Sequence, residues 1–248
     1  MITLPCSHPP RRVVQLLLTW LLLLVPWLNA NDQAPEGDGV PGALHDLAAA
    51  LDTGVVLHDR NGDQVVDEVG ARILLAASPS EAAVAAAANV AARLGFETAA
   101  SDLSLLAQAD PRTVYRRPVF LVGARTVEAL ATSANPHAWR RELAPGQGML
   151  ILLPPGGPLR AGGVALVGYD ATGLLEASAF LSGRFPAGWR PDGQRWSQVV
   201  TGVRSFLESH GVSSARLALE RIVVDRNRLG IARARLRVEV GDPSEFDH

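Results

Sequence analysis

Lysine is absent from the 248 residues, so all 23 basic side chains are arginine. That excludes Schiff-base catalysis and any P-loop that relies on lysine. The one cysteine, Cys6, precedes an N-terminal apolar run and is not placed like a lipoprotein cysteine. Beyond it there is no disulfide framework, no thiolate metal site and no thiol nucleophile. Aromatic residues make up only 5% of the chain, which speaks against an aromatic-lined carbohydrate-binding module. Charge is nearly balanced, at net −2 with a pI near 6.3, so no global field draws the chain to nucleic acid or an acidic membrane. The six histidines are scattered, and neither H-E-x-x-H nor G-x-S-x-G occurs.

Residues 1–30 have the layout of a secretory signal. Arg11 and Arg12 form a positive n-region, Val13 to Leu28 an apolar run, and Ala30 a small residue at the cleavage position. The run is shorter than the roughly 20 residues of a spanning helix. Cleavage and an uncleaved anchor are the two readings, and the short run favours cleavage. It leaves no integral membrane span and places the mature chain in the periplasm or outside the cell. Residues 31–52 read as a linker and a short helix. Gly37, Gly39 and Gly42 there match G-x-G-x-x-G, but no strand precedes them, so the dinucleotide reading fails its context.

Residues 53–190 are expected to form an α/β domain of layered sheet and flanking helices, with α+β as the variant. It opens on an acidic stretch in which Asp59, Asn61, Asp63 and Asp67 occupy positions 1, 3, 5 and 9 of a calcium loop. Position 6 is Gln64 where glycine is wanted, and position 12 is Gly70 where a bidentate glutamate is wanted; Glu68 is a partial substitute. The stretch is similar to the calcium loops of dockerins and thrombospondin type 3 repeats. That resemblance implies a structural calcium ion; the competing reading is an acidic turn.

Ala71–Ala76 reads as a buried strand. A helix is expected next, with Ser78 and Glu81 as a capping box, Pro79 at its first position and Gly95 as its C-cap. Val84, Ala87, Ala91 and Leu94 form its expected buried face. A strand should then begin at Phe96. Pro118–Gly123 and Gln147–Leu153 are further strands, with a short helix capped by Thr126 between them. Asn135–Glu142, containing Trp139, reads as an excursion from the core.

The stretch from Gly163 to Phe185 carries the clearest functional signal. Val164–Val167 is a strand, and Asp170 caps a helix on which Leu174, Ala177, Ser178 and Leu181 recur at helical spacing. Open α/β sheets bind ligands at the C-terminal ends of their strands. Gly168, Tyr169, Asp170 and Thr172 are therefore the candidate ligand residues. The competing reading is that Gly168 and Gly173 only allow a helix to approach a strand. A glycosidase needs two carboxyl groups across a cleft, and Asp170 is the one acid that falls at a strand end.

Residues 191–248 read as an amphipathic helix, Ser197–His210, and a β-hairpin, Leu217–Val224 with Ile231–Val240. Val199, Val203, Phe206 and Leu207 form the helix's apolar face. Arg233, Arg235 and Arg237 alternate with apolar residues on the second strand. They suit either an acidic polymer or a solvated face paired with Glu220 or Glu239. The hairpin must pack on the α/β unit or begin a further module.

From Arg72 to Pro186 the order of elements resembles the small α/β domain that precedes the catalytic barrel in α-glucuronidases and β-hexosaminidases. The residues behind this are SPSEAAVAAAANVAARLG, PVFLVG, PGQGMLILLP and GGVALVGYDATGLLEASAFL. The periplasmic subunit of bacterial cellulose synthase is similar. The resemblance implies an exported accessory domain without catalytic residues, acting on a polysaccharide or beside a catalytic partner. A secreted hydrolase, or a fragment of one, is the alternative.

Overall fold

Short apolar runs that no single helix could bury become the middle of one mixed sheet. A computed structural model describes residues 13–16, 42–100, 103–130, 136–183, 196–212, 215–226 and 230–240. The eight strands are β1 (Val13–Leu16), β4 (Arg72–Leu75), β5 (Leu106–Gln108), β6 (Val119–Val122), β7 (Gln147–Leu153), β8 (Gly163–Gly168), β9 (Ala215–Asp225) and β10 (Gly230–Val240). Their order across the sheet is β1-β10-β9-β7-β8-β6-β4-β5. The block β5-β4-β6-β8 is parallel; β7, β9, β10 and β1 continue it antiparallel. A separate small hairpin joins β2 (Leu57–His58) to β3 (Glu68–Val69).

Central parallel strands are covered on both faces, and every residue of β6 is buried, whereas the edge strand β5 is exposed throughout. On one face α1 (Glu81–Phe96) and α4 (Ala171–Gly183) lie side by side. They are joined by a bond from Asn89 Nδ2 to Ser178 Oγ at 3.0 Å and one from Arg93 Nη1 to the Ser182 carbonyl at 3.3 Å. Beneath them Ile73, Phe120, Val122, Leu150, Leu166 and Ile222 form the larger core. On the other face α2 (Ala124–Leu130) and α3 (Pro136–Arg141) cover Leu74, Leu121, Met149, Ile151, Ala165 and Val167. The strand residues of the two lists alternate, as a period of two demands. The α/β expectation is therefore met, and the C-terminal hairpin extends the same sheet because β9 pairs with β7 from Gln147↔Asp225 to Ile151↔Arg221.

Several local expectations are corrected. Helix α1 is capped by Ser80, whose hydroxyl accepts from Ala83 N at 3.2 Å, and not by Ser78. It runs through Gly95 and stops at Glu97, in αR conformation, so no strand begins at Phe96. Its buried face is Ala83, Ala86, Ala87, Val90 and Leu94; Val84 is 50% exposed. Alanine on every side of the helix gave periodicity too little contrast to fix the rotation. Thr126 lies inside α2, where it accepts from Ala76 N at 2.9 Å and donates to the Val122 carbonyl at 2.7 Å. It ties β4 to β6 and caps nothing. Trp139 is no excursion: at 2% exposure it anchors the second core. In the C-terminal helix, α5 (Trp196–Ser209), Leu207 is buried but Phe206 stays 54% exposed, its ring tilted 36° against that of His210 with centroids 4.2 Å apart. The side chain of Val199 lies outside the described residues.

Candidate functional site

Asp170 stands at the C-terminal end of β8, as its position in the sequence required. Its Oδ1 accepts from Gly173 N at 2.8 Å, the expected N-cap bond. Its Oδ2 accepts from Gly146 N at 3.0 Å, in the loop that leads into β7. One carboxylate thus clasps a helix start to a strand start 24 residues away in sequence. The Gly173 and then the Gly146 N–H hold its pKa below the usual carboxylate range. A carboxyl so held stays ionised at neutral pH and is a poor general acid.

The glycines around it allow close approach. A Cβ on Gly173 would collide with the Gln147 carbonyl, one on Gly148 with the Gly173 carbonyl, and one on Gly168 with Leu174 N. The first turn of α4 therefore rests on the bare backbone of β7 and β8, where a ligand of an open sheet would otherwise enter. Tyr169 donates its backbone N–H to the Gln147 carbonyl at 2.9 Å and leaves its side chain 52% exposed. Thr172 lies in the first turn of the helix, part-exposed. Of the four candidate ligand residues, Gly168 and Asp170 are thus engaged in holding α4 to the sheet.

The acidic loop joins β2 to β3. Asp59 accepts from Gly62 N and Gln64 N, each at 2.7 Å. Asn61 Oδ1 accepts from Asp63 N at 3.0 Å, and Asp63 accepts from Val65 N at 2.8 Å and from Asn61 Nδ2 at 3.0 Å. Asp67 accepts from Arg60 N at 3.0 Å. Gln64 takes φ 70°, the left-handed turn for which the calcium pattern uses glycine. The backbone half of the pattern is therefore present. The donor half is short. Gly70 supplies no carboxylate, and Glu68 is bound by Arg60 and by Arg117 Nη1 at 2.9 Å. Arg60 first, with Arg117 adding to it, lowers the Glu68 pKa. Among the described residues no group of three or more His, Cys, Asp and Glu side chains is disposed to hold a metal ion.

The arginine stripe of β10 is an ion-paired face. Arg237 lies 3.8 Å from Glu220 and 3.4 Å from Glu239, the two partners named from sequence. Arg235 and Arg221 lie 3.8 and 2.9 Å from Glu142, and Arg233 bonds the Glu142 carbonyl. The register of β9 against β10 slips between Arg235 and Leu236, and this bulge turns Glu220 and Arg221 to the same side. Glu142, just past α3, is the residue sequence reasoning missed; nothing in its neighbourhood marks it as a partner for a strand about 80 positions on.

Asp46 was missed as well. It caps the 3-10 turn Leu47–Ala49 through Ala48 N at 2.8 Å and also accepts from Leu219 N, on β9, at 2.9 Å. Burial raises its pKa against the lowering effect of those two bonds.

No family model matches the chain, and no curated protein matches its sequence. Among the described residues no helix is long and apolar enough to cross a membrane.

Proposed function

We propose that the chain is an exported bacterial domain without catalysis of its own, a binding or accessory unit that works on carbohydrate or another envelope polymer beside a catalytic partner. One observation carries this reading. Asp170, the carboxylate placed where an α/β sheet would do chemistry, spends both oxygens on the N–H groups of Gly146 and Gly173. A pair of carboxyl groups across a cleft is the minimum for glycoside hydrolysis. A second observation supports the accessory role. On the outward side of α1 and α4, Val84, Ala85, Ala88, Ala92, Phe96, Leu175 and Ala179 are exposed, interspersed with Glu81 and the Arg93–Glu97 ion pair. Large exposed apolar side chains such as Val84 and Phe96 on one helix face suit contact with another component.

The test pairs binding with turnover. Purified chain is run through gels containing soluble acidic and neutral polysaccharides, and the same polymers are assayed for new reducing ends. Retardation without reducing ends is expected. Release of reducing ends, abolished by Asp170→Asn, would establish the hydrolase instead. Cell fractionation checks export: the chain should appear in the periplasm or medium, shortened by about 30 residues as expected for a cleaved leader, so that the mature sheet lacks β1 and ends on β10.

A further inference from the structure

A cleft of about 330 Å3 opens at the opposite end of the sheet from Asp170. The hairpin β2–β3 forms one wall, and the loop entering β6 forms the other. Its volume is at the lower end of the range of small-molecule sites, about 300–1,000 Å3. We propose that this cleft binds the carboxylate of an acidic saccharide through Arg60, Arg116 and Arg117, with His58 and Glu68 facing the sugar. The inference rests on the polymer-binding reading above and assigns it a place and a ligand class.

The charges lining the cleft support this assignment. Arg60, Arg116 and Arg117 all line it, in a chain whose net charge is −2. Two carboxylates line it as well, but they differ in what they offer. Asp59 turns both oxygens into its own loop, onto Gly62 N and Gln64 N. Glu68 remains, and it holds Arg60 on one side and Arg117 on the other. Three guanidiniums therefore face two carboxylates, a net positive lining in which only Glu68 turns its oxygens to the arginines. Glu68 spends only one donor group of each arginine, Nε of Arg60 and Nη1 of Arg117, and the remaining N–H donors are directed by that anchoring. Arg116 is exposed and makes no ion pair among the described residues.

A guanidinium fork matches a planar carboxylate in two parallel bonds. A single negative charge also suits a cleft that already contains Glu68 better than a phosphate dianion does. The rest of the lining is apolar or permissive: Val55, Pro118, Gly42 and Gly70. The His58 imidazole sits against Gly70, where any Cβ would collide with its Nε2 and Cδ2. Gly70 N bonds the Val56 carbonyl at 2.7 Å and fixes that contact. The cleft so offers cations for a carboxylate, an acceptor for hydroxyls and the His58 ring beside them.

Calorimetric titration of the full chain tests the proposal, with oligogalacturonate, the neutral oligogalactose of the same length, and inorganic phosphate as probes. The acidic oligomer should bind at least about tenfold more tightly than the neutral one at low salt, and the gap should shrink at about 0.5 M salt. Arg116→Gln should weaken the acidic oligomer about tenfold with Tm unchanged, and leave any neutral binding as it was. Equal affinity for the two oligomers, or an Arg116→Gln variant that binds as the parent does, overturns the cleft while polymer binding elsewhere stands. Phosphate binding as tightly as oligogalacturonate overturns the saccharide assignment and leaves a site for free anions. Cleavage of the oligomer during titration overturns the accessory reading, and Arg116 dependence of binding then still reports on the cleft.

Discussion

Gly173→Ala is the substitution whose sign separates packing from propensity. Considered as a helix residue alone, glycine to alanine gains up to about 1 kcal/mol. In the structure the new methyl meets the Gln147 carbonyl oxygen and carbon, with Gly148 N at 3.1 Å. All three are backbone atoms of a central strand, and no rotamer change can relieve the clash. Helix α4 must lift, which loosens Leu174 and Ala177 from the core and disturbs the Asp170 clasp. Overpacking of this kind costs about 1–3 kcal/mol and more when backbone opposes backbone. Net of the propensity gain we expect a loss of about 2 kcal/mol, or roughly 4–8 °C in Tm for a domain of this size. Gly148→Ala strikes the same contact from the strand side, so the double variant should lose less than the sum of the singles. Gly202→Ala, in α5 with nothing within 4 Å, is the control and should stabilise by up to about 1 kcal/mol. Urea unfolding followed by circular dichroism reads all four. A Gly173→Ala variant as stable as the parent, or more so, refutes the close approach of α4 to β7.

Asp170→Ala should cost about 1 kcal/mol at neutral pH, the usual worth of an N-cap. Because the folded-state pKa is lowered, the clasp contributes fully above the unfolded value near 4 and is lost as pH falls through the folded one. The variant should therefore show a flatter loss of stability below pH 4. Asp46 runs the other way. Its raised pKa means that its ionised form opposes folding, so stability is greater below the unfolded pKa and falls as pH rises through the folded one. Asp46→Asn keeps an acceptor for Ala48 N and Leu219 N and should gain on the parent between pH 3 and pH 7, whereas Asp46→Ala should lose about 1–3 kcal/mol at both. Trp139→Ala should cost about 3–5 kcal/mol by thermal or urea unfolding, as expected for a core residue. For the acidic loop, millimolar calcium should leave Tm unchanged, since Glu68 is bound to two arginines and Gly70 has no ligand to give. A rise that Asp59→Ala abolishes would instead place the ion there.

Sequence alone determined the central strands β4, β6, β7 and β8, the C-terminal hairpin and the layering, but not β1, β2, β3 or β5. Apolar runs bounded by glycine or proline, such as Gln147–Leu153, need two covered faces whatever their neighbours are, and the structure returns that strand with the same ends. The Asp170 cap was legible for the same reason: an N-cap bond spans three residues, and local spacing is enough to place it. Strand order, the second oxygen of Asp170, the Glu142 and Asp46 contacts and the cleft of three arginines were decided only in the tertiary structure. Each brings together positions far apart in the chain, such as Arg60 and Arg117, and nothing in the local sequence of one specifies the other. Helix α1 shows where the boundary lies. Its alanines fixed that it is a helix, because propensity is a property of each residue, but which side faces the sheet was settled by contact with α4 and the strands beneath.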